Sequence, residues 1–110
     1  MATQVQTIAC VNDAGFVMSF GIEVLDMNTG LPMIVESLDT GNYPIDQTRS
    51  IDLSTTGIAE GTFVRPQVRP VWGSTNNGDR YVQYAHNGET ASWEVSGIIT
   101  SYSVHLIGTQ

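Results

Sequence analysis

Asn87-Gly88 stands between two runs of alternating side chains, and no other stretch limits the fold as tightly. A type I′ turn needs positive φ at both central residues, which Asn and Gly tolerate. Asn-Gly between alternating runs therefore predicts a two-residue β-hairpin. With Asn87 and Gly88 at the turn, the register follows. His86 faces Glu89, Tyr84 faces Ala91 and Val82 faces Trp93, all on one largely apolar face. Tyr81 with Glu94, Gln83 with Ser92 and Ala85 with Thr90 make the opposite, polar face. One apolar face and one wet face is the pattern of an antiparallel sheet that covers a core.

The rest of the chain repeats this pattern. Residues 5–11 alternate and read as a first strand, closed by the turn cluster Asn12-Asp13-Ala14-Gly15. Phe16, Met18, Phe20, Ile22 and Val24 then recur at period two, the signature of a central strand. Gly30 suits the left-handed position of a hairpin, with residues 33–38 as the return strand. Residues 39–48 are a polar loop holding Tyr43-Pro44, and residues 49–53 are a short strand. The Ser/Thr run before Ile58 suits one helical turn. Pro66 and Pro70 lie inside the strand pattern of residues 62–72. Proline cannot donate to a ladder, so this strand is expected at a sheet edge or at a bulge. Residues 73–79 read as a loop, Gly97 as a bend, and residues 98–107 as the last strand.

About eight strands without a long helix predict one all-β domain over residues 1–110, an antiparallel β-sandwich of jelly-roll or immunoglobulin-like type. A small barrel is the alternative. The expected core includes Phe16, Phe20, Ile22, Val82, Trp93 and Val104.

Charge narrows the function. Four arginines and no lysine oppose 11 Asp and Glu, for a net charge of −7. Phosphate binding needs clustered cations, so nucleic acid and purely electrostatic docking on anionic lipid are disfavoured. Uncharged ligands such as glycans are compatible with this balance. The one cysteine, Cys10, allows no disulfide within the chain and reads as a small buried hydrophobe. The start of the chain shows no signal peptide, and no segment is long and apolar enough to cross a membrane. The compartment stays open, cytoplasmic or secreted.

If consecutive strands alternate direction, their connections collect at two ends. One end gathers residues 12–15, 39–48, 73–79 and the Gly97 bend, with most of the Asn and Asp of the chain. The other gathers residues 26–30, 54–61 and Asn87-Gly88. The first end is the expected site, with Tyr43, Trp72, Asn76, Asn77, Asp79 and Arg80 as ligand-binding residues. Amides, a carboxylate and an arginine fork suit sugar hydroxyls, and an aromatic ring suits the apolar face of a sugar. The competing reading makes the same Asn, Asp and Gly plain turn formers, with Trp72 a core anchor. The aspartates also suggest a calcium site, although the spacing lacks the full pattern of a helix-loop-helix calcium loop. His86 and His105 are the only imidazoles, and no nucleophile motif accompanies them, so no enzyme is expected.

In size, acidity and β content the chain is similar to small fungal and bacterial lectins and to aegerolysin-like membrane-binding proteins. That likeness is one of composition and assigns no residues. The expectation is a non-enzymatic carbohydrate-binding module. The alternatives are a structural or interaction subunit of an assembly and a cytolysin-like membrane binder. Unguarded strand edges without lysine further predict a homo-oligomer.

Overall fold

The computed structural model describes residues 3–35 and 38–110. Among these the strands are β1 (Gln4–Val5), β2 (Thr7–Ala14), β3 (Met18–Leu25), β4 (Pro32–Ile34), β5 (Thr48–Asp52), β6 (Phe63–Pro70), β7 (Asn76–Asn77), β8 (Val82–Tyr84), β9 (Thr90–Ile98) and β10 (Ser101–Thr109). They form two sheets. One has the order β1-β8-β6-β3-β4, with β7 also on β6, and the other has the order β10-β9-β2-β5. The sheets pack face to face as a β-sandwich and do not close into a barrel.

The core lies between the sheets. Ile8, Cys10, Phe20, Ile22, Val64, Val68, Val82, Trp93 and Val95 are fully buried there. The period-two pattern of β3 is present as expected, and Phe16 sits at the rim of the core. On the outer face of β3, Glu23 is also buried. Its carboxylate meets Arg65 at 2.7 Å and accepts a hydrogen bond from the Tyr81 hydroxyl at 2.9 Å. Pairing thus offsets the cost of burying that charge.

The Asn87-Gly88 hairpin does not form. β8 belongs to one sheet and β9 to the other, so residues 85–89 are an arch between layers. Gly88 has φ +76°, but Asn87 is not among the residues of positive φ. The Asn87 side chain instead accepts from the Glu89 amide at 2.9 Å and donates to the Gln4 carbonyl at 3.0 Å. The Gly88 amide donates to the Gln6 side chain at 2.9 Å. The N-terminal segment runs alongside and changes sheets at the same level. β1 pairs with β8 in parallel, and β2 pairs with β9 in parallel. Two parallel ladders therefore enter a sandwich that is otherwise antiparallel. Val82, Tyr84, Ala91 and Trp93 are buried as the alternation requires.

Pro66 and Pro70 are accommodated inside the sheet, not at its edge. β6 pairs with β3 along its whole length. On its other side it meets β8 only at Phe63 and Val64, and β7 only at Gln67 and Val68. The Pro66 carbonyl accepts from the Gly78 amide, so its missing N–H also points to that side. It falls in the gap between β8 and β7, where no ladder partner demands a donor.

The β3–β4 hairpin forms with Gly30 at φ +71°. The expected return strand over residues 33–38 is seen as Pro32–Ile34, and its positions 36 and 37 lie outside the described residues. A 3-10 helix, Leu53–Thr55, supplies the expected helical turn and is capped by the Asp52 side chain. A tight two-residue hairpin, absent from the sequence expectation, joins β9 to β10: Ile98 pairs with Ser101 across Ile99-Thr100. Gly97 makes it possible. Its φ is +120°, and a Cβ there would stand 2.5 Å from the Ser101 carbonyl oxygen.

Candidate functional site

The sorting of connections into two ends holds. β2 ends and β3 begins at one end, where the Gly15 amide donates to the Gly97 carbonyl at 3.2 Å and the Val71 amide to the Val17 carbonyl at 3.1 Å. Four connections meet there: β2–β3, β4–β5, β6–β7 and β9–β10. One buried amide ties the first two together. Asn12 is fully buried, and its Nδ2 donates to the Phe16 carbonyl at 2.9 Å and to the Tyr43 carbonyl at 3.1 Å. Its Oδ1 accepts from the Ala14 amide at 3.0 Å. Asn12 therefore serves as a brace for this end.

The expected site residues divide. Trp72 is 88% exposed and stands free at the tip. It is not a core anchor. Asn76 lies nearby, but its amide is used internally: Nδ2 donates to the Tyr102 carbonyl at 3.0 Å, and Oδ1 accepts from the Asn77 amide at 3.0 Å. Asn77 is half-buried, with its Oδ1 buried and unpartnered. Tyr43 cannot stack on a ligand, because it is fully buried and its hydroxyl donates to the Cys10 carbonyl at 2.8 Å. Burial, with the Cys10 thiol beside it, pushes the phenol well above its usual range, and Arg49 opposes only part of that.

Asp79 and Arg80 lie away from the tip, because residues 76–79 run down along β10. The Asp79 carboxylate receives the Leu106 amide at 2.9 Å and meets His105 Nδ1 at 2.9 Å. Burial raises its affinity for a proton, yet those two contacts outweigh burial and hold it below the usual carboxylate range. Its bonding is thus spent on covering the β10 edge. Arg80 is exposed and forms no ion pair among the described residues. Asp13, Asp39, Asp46 and Asp79, the aspartates of this half, form no metal-holding group among the described residues. Asp39 pairs with Arg69 at 2.9 Å, and among the described residues no group of three acidic, histidine or cysteine side chains is placed to hold a metal ion.

Two recesses flank Trp72. One is a cleft of about 460 Å³ lined by Trp72, Gly73, Ser74, Thr75, Asn76, Ile99, Thr100, Ser101 and Tyr102. The other is an apolar groove of about 580 Å³ lined by Gly15, Phe16, Val17, Val71, Trp72, Ile98 and Ile99. Both volumes fall within the roughly 300–1,000 Å³ of small-ligand sites. The Tyr102 hydroxyl donates to the Ser74 carbonyl at 2.6 Å, which fixes one wall of the cleft. The Tyr102 ring meets Phe16 edge to face at 5.0 Å, so the cleft and the groove share one aromatic support. None of the lining residues is Asp, Glu, His, Lys or Arg. Sequence reasoning missed Ile99 to Tyr102, because the β9–β10 turn has none of the usual turn residues at its centre. Gly97 was the only signal.

Charge is concentrated elsewhere. On the outer face of the four-stranded sheet, a hydrogen bond with Asp13 raises the Glu94 carboxyl above its usual range, with lesser contributions from desolvation and repulsion. A bond to the protonated carboxyl contributes stability that is present below the unfolded carboxyl value, near 4.3, and lost as pH rises through the raised one. Asp13→Asn is therefore expected to lose stability relative to the parent as pH falls from 7 to about 4. Thermal melts across that range test it. A variant that gains on the parent on acidification would contradict it.

Comparison with protein-family models, with curated proteins and with solved structures found no match to this chain.

Proposed function

We propose that the chain is a non-enzymatic carbohydrate-binding module whose site is the cleft beside Trp72. The observation that carries the reading is an indole 88% exposed beside a hydroxyl-lined recess without ionised side chains. An exposed large aromatic costs solvation and suits the C–H face of a sugar ring. Ser74, Thr75, Thr100 and Ser101 offer hydroxyls that both donate and accept, as sugar hydroxyls do. Among the lining residues no carboxylate, histidine or cysteine is present to move a proton or act as a nucleophile.

A glycan array on the parent and on Trp72→Ala tests the reading. The variant is expected to lose at least ten-fold in affinity, which is about 1.4 kcal/mol. Its stability is expected to stay within about 0.5 kcal/mol of the parent, because the indole is largely exposed. Asp79→Ala and EDTA are expected to leave binding unchanged. Binding that survives Trp72→Ala would overturn the assignment, and so would a blank array.

The exposure of Val17, Val71 and Ile98 beside Trp72 favours one rival, shallow docking of this end on a bilayer. Sedimentation with phosphatidylcholine vesicles alongside a blank array would favour that rival. We further propose that the chain works as a homo-oligomer, which would raise the avidity of a shallow site. Exposed Leu31, Met33 and Ile34 at the β4 edge support this assembly. A monomeric mass by light scattering at high concentration would count against it.

A further inference from the structure

The recess on the far side of Trp72 does not suit a sugar. Phe16, Val17, Val71, Ile98 and Ile99 line it, and its only polar side-chain atom is the Trp72 indole nitrogen. Three separate connections supply these residues, so the groove arises from the way the end is assembled. Val17, Val71 and Ile98 are 42%, 44% and 63% exposed, an unusual concentration of apolar surface on a chain of net charge −7. The groove adjoins the polar cleft, because Trp72 and Ile99 line both.

We infer that the ligand is a glycoside with an apolar aglycone, the sugar resting in the cleft and the aglycone in the groove across Trp72. This rests on the carbohydrate reading above and adds the ligand class to it. An amphiphile with one hydroxylated and one apolar part is what adjoining polar and apolar recesses of this size can bury together. The absence of ionised side chains from both recesses fits an uncharged molecule. A free sugar would leave the groove wet. Each methylene buried multiplies affinity by about four, so even two buried methylenes give more than ten-fold.

The test is calorimetric titration of methyl and octyl β-glycosides of glucose, galactose and mannose, the octyl compounds below their micellar concentration. Octanol and phosphatidylcholine vesicles serve as arms without sugar. The groove variant is Val17→Thr with Ile98→Thr, which keeps β-branched side chains at both places. The octyl glycoside of at least one sugar is expected to bind ten-fold or more tighter than its methyl partner. In the groove variant that preference is expected to fall below three-fold, with methyl glycoside affinity kept. Equal binding of methyl and octyl forms would overturn this inference and leave the carbohydrate site standing. Octanol binding as tightly as the octyl glycosides, or vesicle binding without glycoside binding, would overturn it in favour of a general apolar or bilayer site. No binding by any arm would overturn both readings.

Discussion

Trp93→Ala is expected to lower the unfolding free energy by roughly 3–5 kcal/mol, the usual range for emptying a buried aromatic site. Trp93 lies in the middle of β9, fully buried, with its backbone paired to Cys10 on β2 and Leu106 on β10. Loss of its side chain opens a void between two sheets that stay held by their own ladders, so the site collapses poorly. Denaturant melts measure the effect. Trp93→Phe is a second arm with a different expectation. The indole Nε1 is buried without a partner, and a Cβ on Gly78 would stand 2.8 Å from it. An unsatisfied buried donor costs about 1–3 kcal/mol, so removing it offsets part of the lost area. Phe is therefore expected to cost far less than Ala, and equal costs would contradict this account of the core.

Asn12→Ala should be the next largest loss, about 3 kcal/mol from three hydrogen bonds at about 1 kcal/mol each. Apolar replacement removes the side-chain partner of the Phe16 carbonyl and the Ala14 amide and leaves the Tyr43 carbonyl only the Met18 amide. The effect should extend to function, because Phe16 lines the groove and supports Tyr102. Ligand affinity is expected to fall along with melting temperature, although Asn12 touches no ligand. A stable variant, or a destabilised one with full affinity, would show that the brace is not needed.

The face pattern of the strands was legible in the sequence, and the premise of alternating direction sorted their connections; the partners were not legible. Alternation placed Val82, Tyr84, Ala91 and Trp93 in the core, and they are there. It could not tell whether Val82 and Trp93 share a sheet or face each other across the layers, because both arrangements bury the same residues. Asn87 fits the arch as well as it would fit a turn, through a local bond to Glu89 and one to Gln4, far away in sequence. Pro66 predicts an edge or a bulge, yet a gap between two short neighbours serves equally well.

The candidate site divides in the same way. Connections sort to the two ends because strand direction alternates along most of the chain, and that rule needs no strand order. Trp72 at the tip was found through it. Tyr43 and Asp79 were misplaced because each is committed to a distant backbone group, the Cys10 carbonyl and the Leu106 amide. Local composition carries no trace of either bond. Ile99 to Tyr102 were missed because their role depends on the β9–β10 turn packing beside Gly73.

The protein has two tryptophans in opposite environments, Trp93 fully buried and Trp72 88% exposed. Acrylamide, a neutral quencher unaffected by the net charge, reads the exposed one selectively. Quenching is measured with and without a saturating glycan from the array, in the parent and in Trp72→Ala. If the cleft beside Trp72 is the sugar site, the parent is readily quenched, the glycan protects it, and the variant shows little quenching in either state. Glycan binding that leaves the quenching of Trp72 unchanged would contradict the assignment.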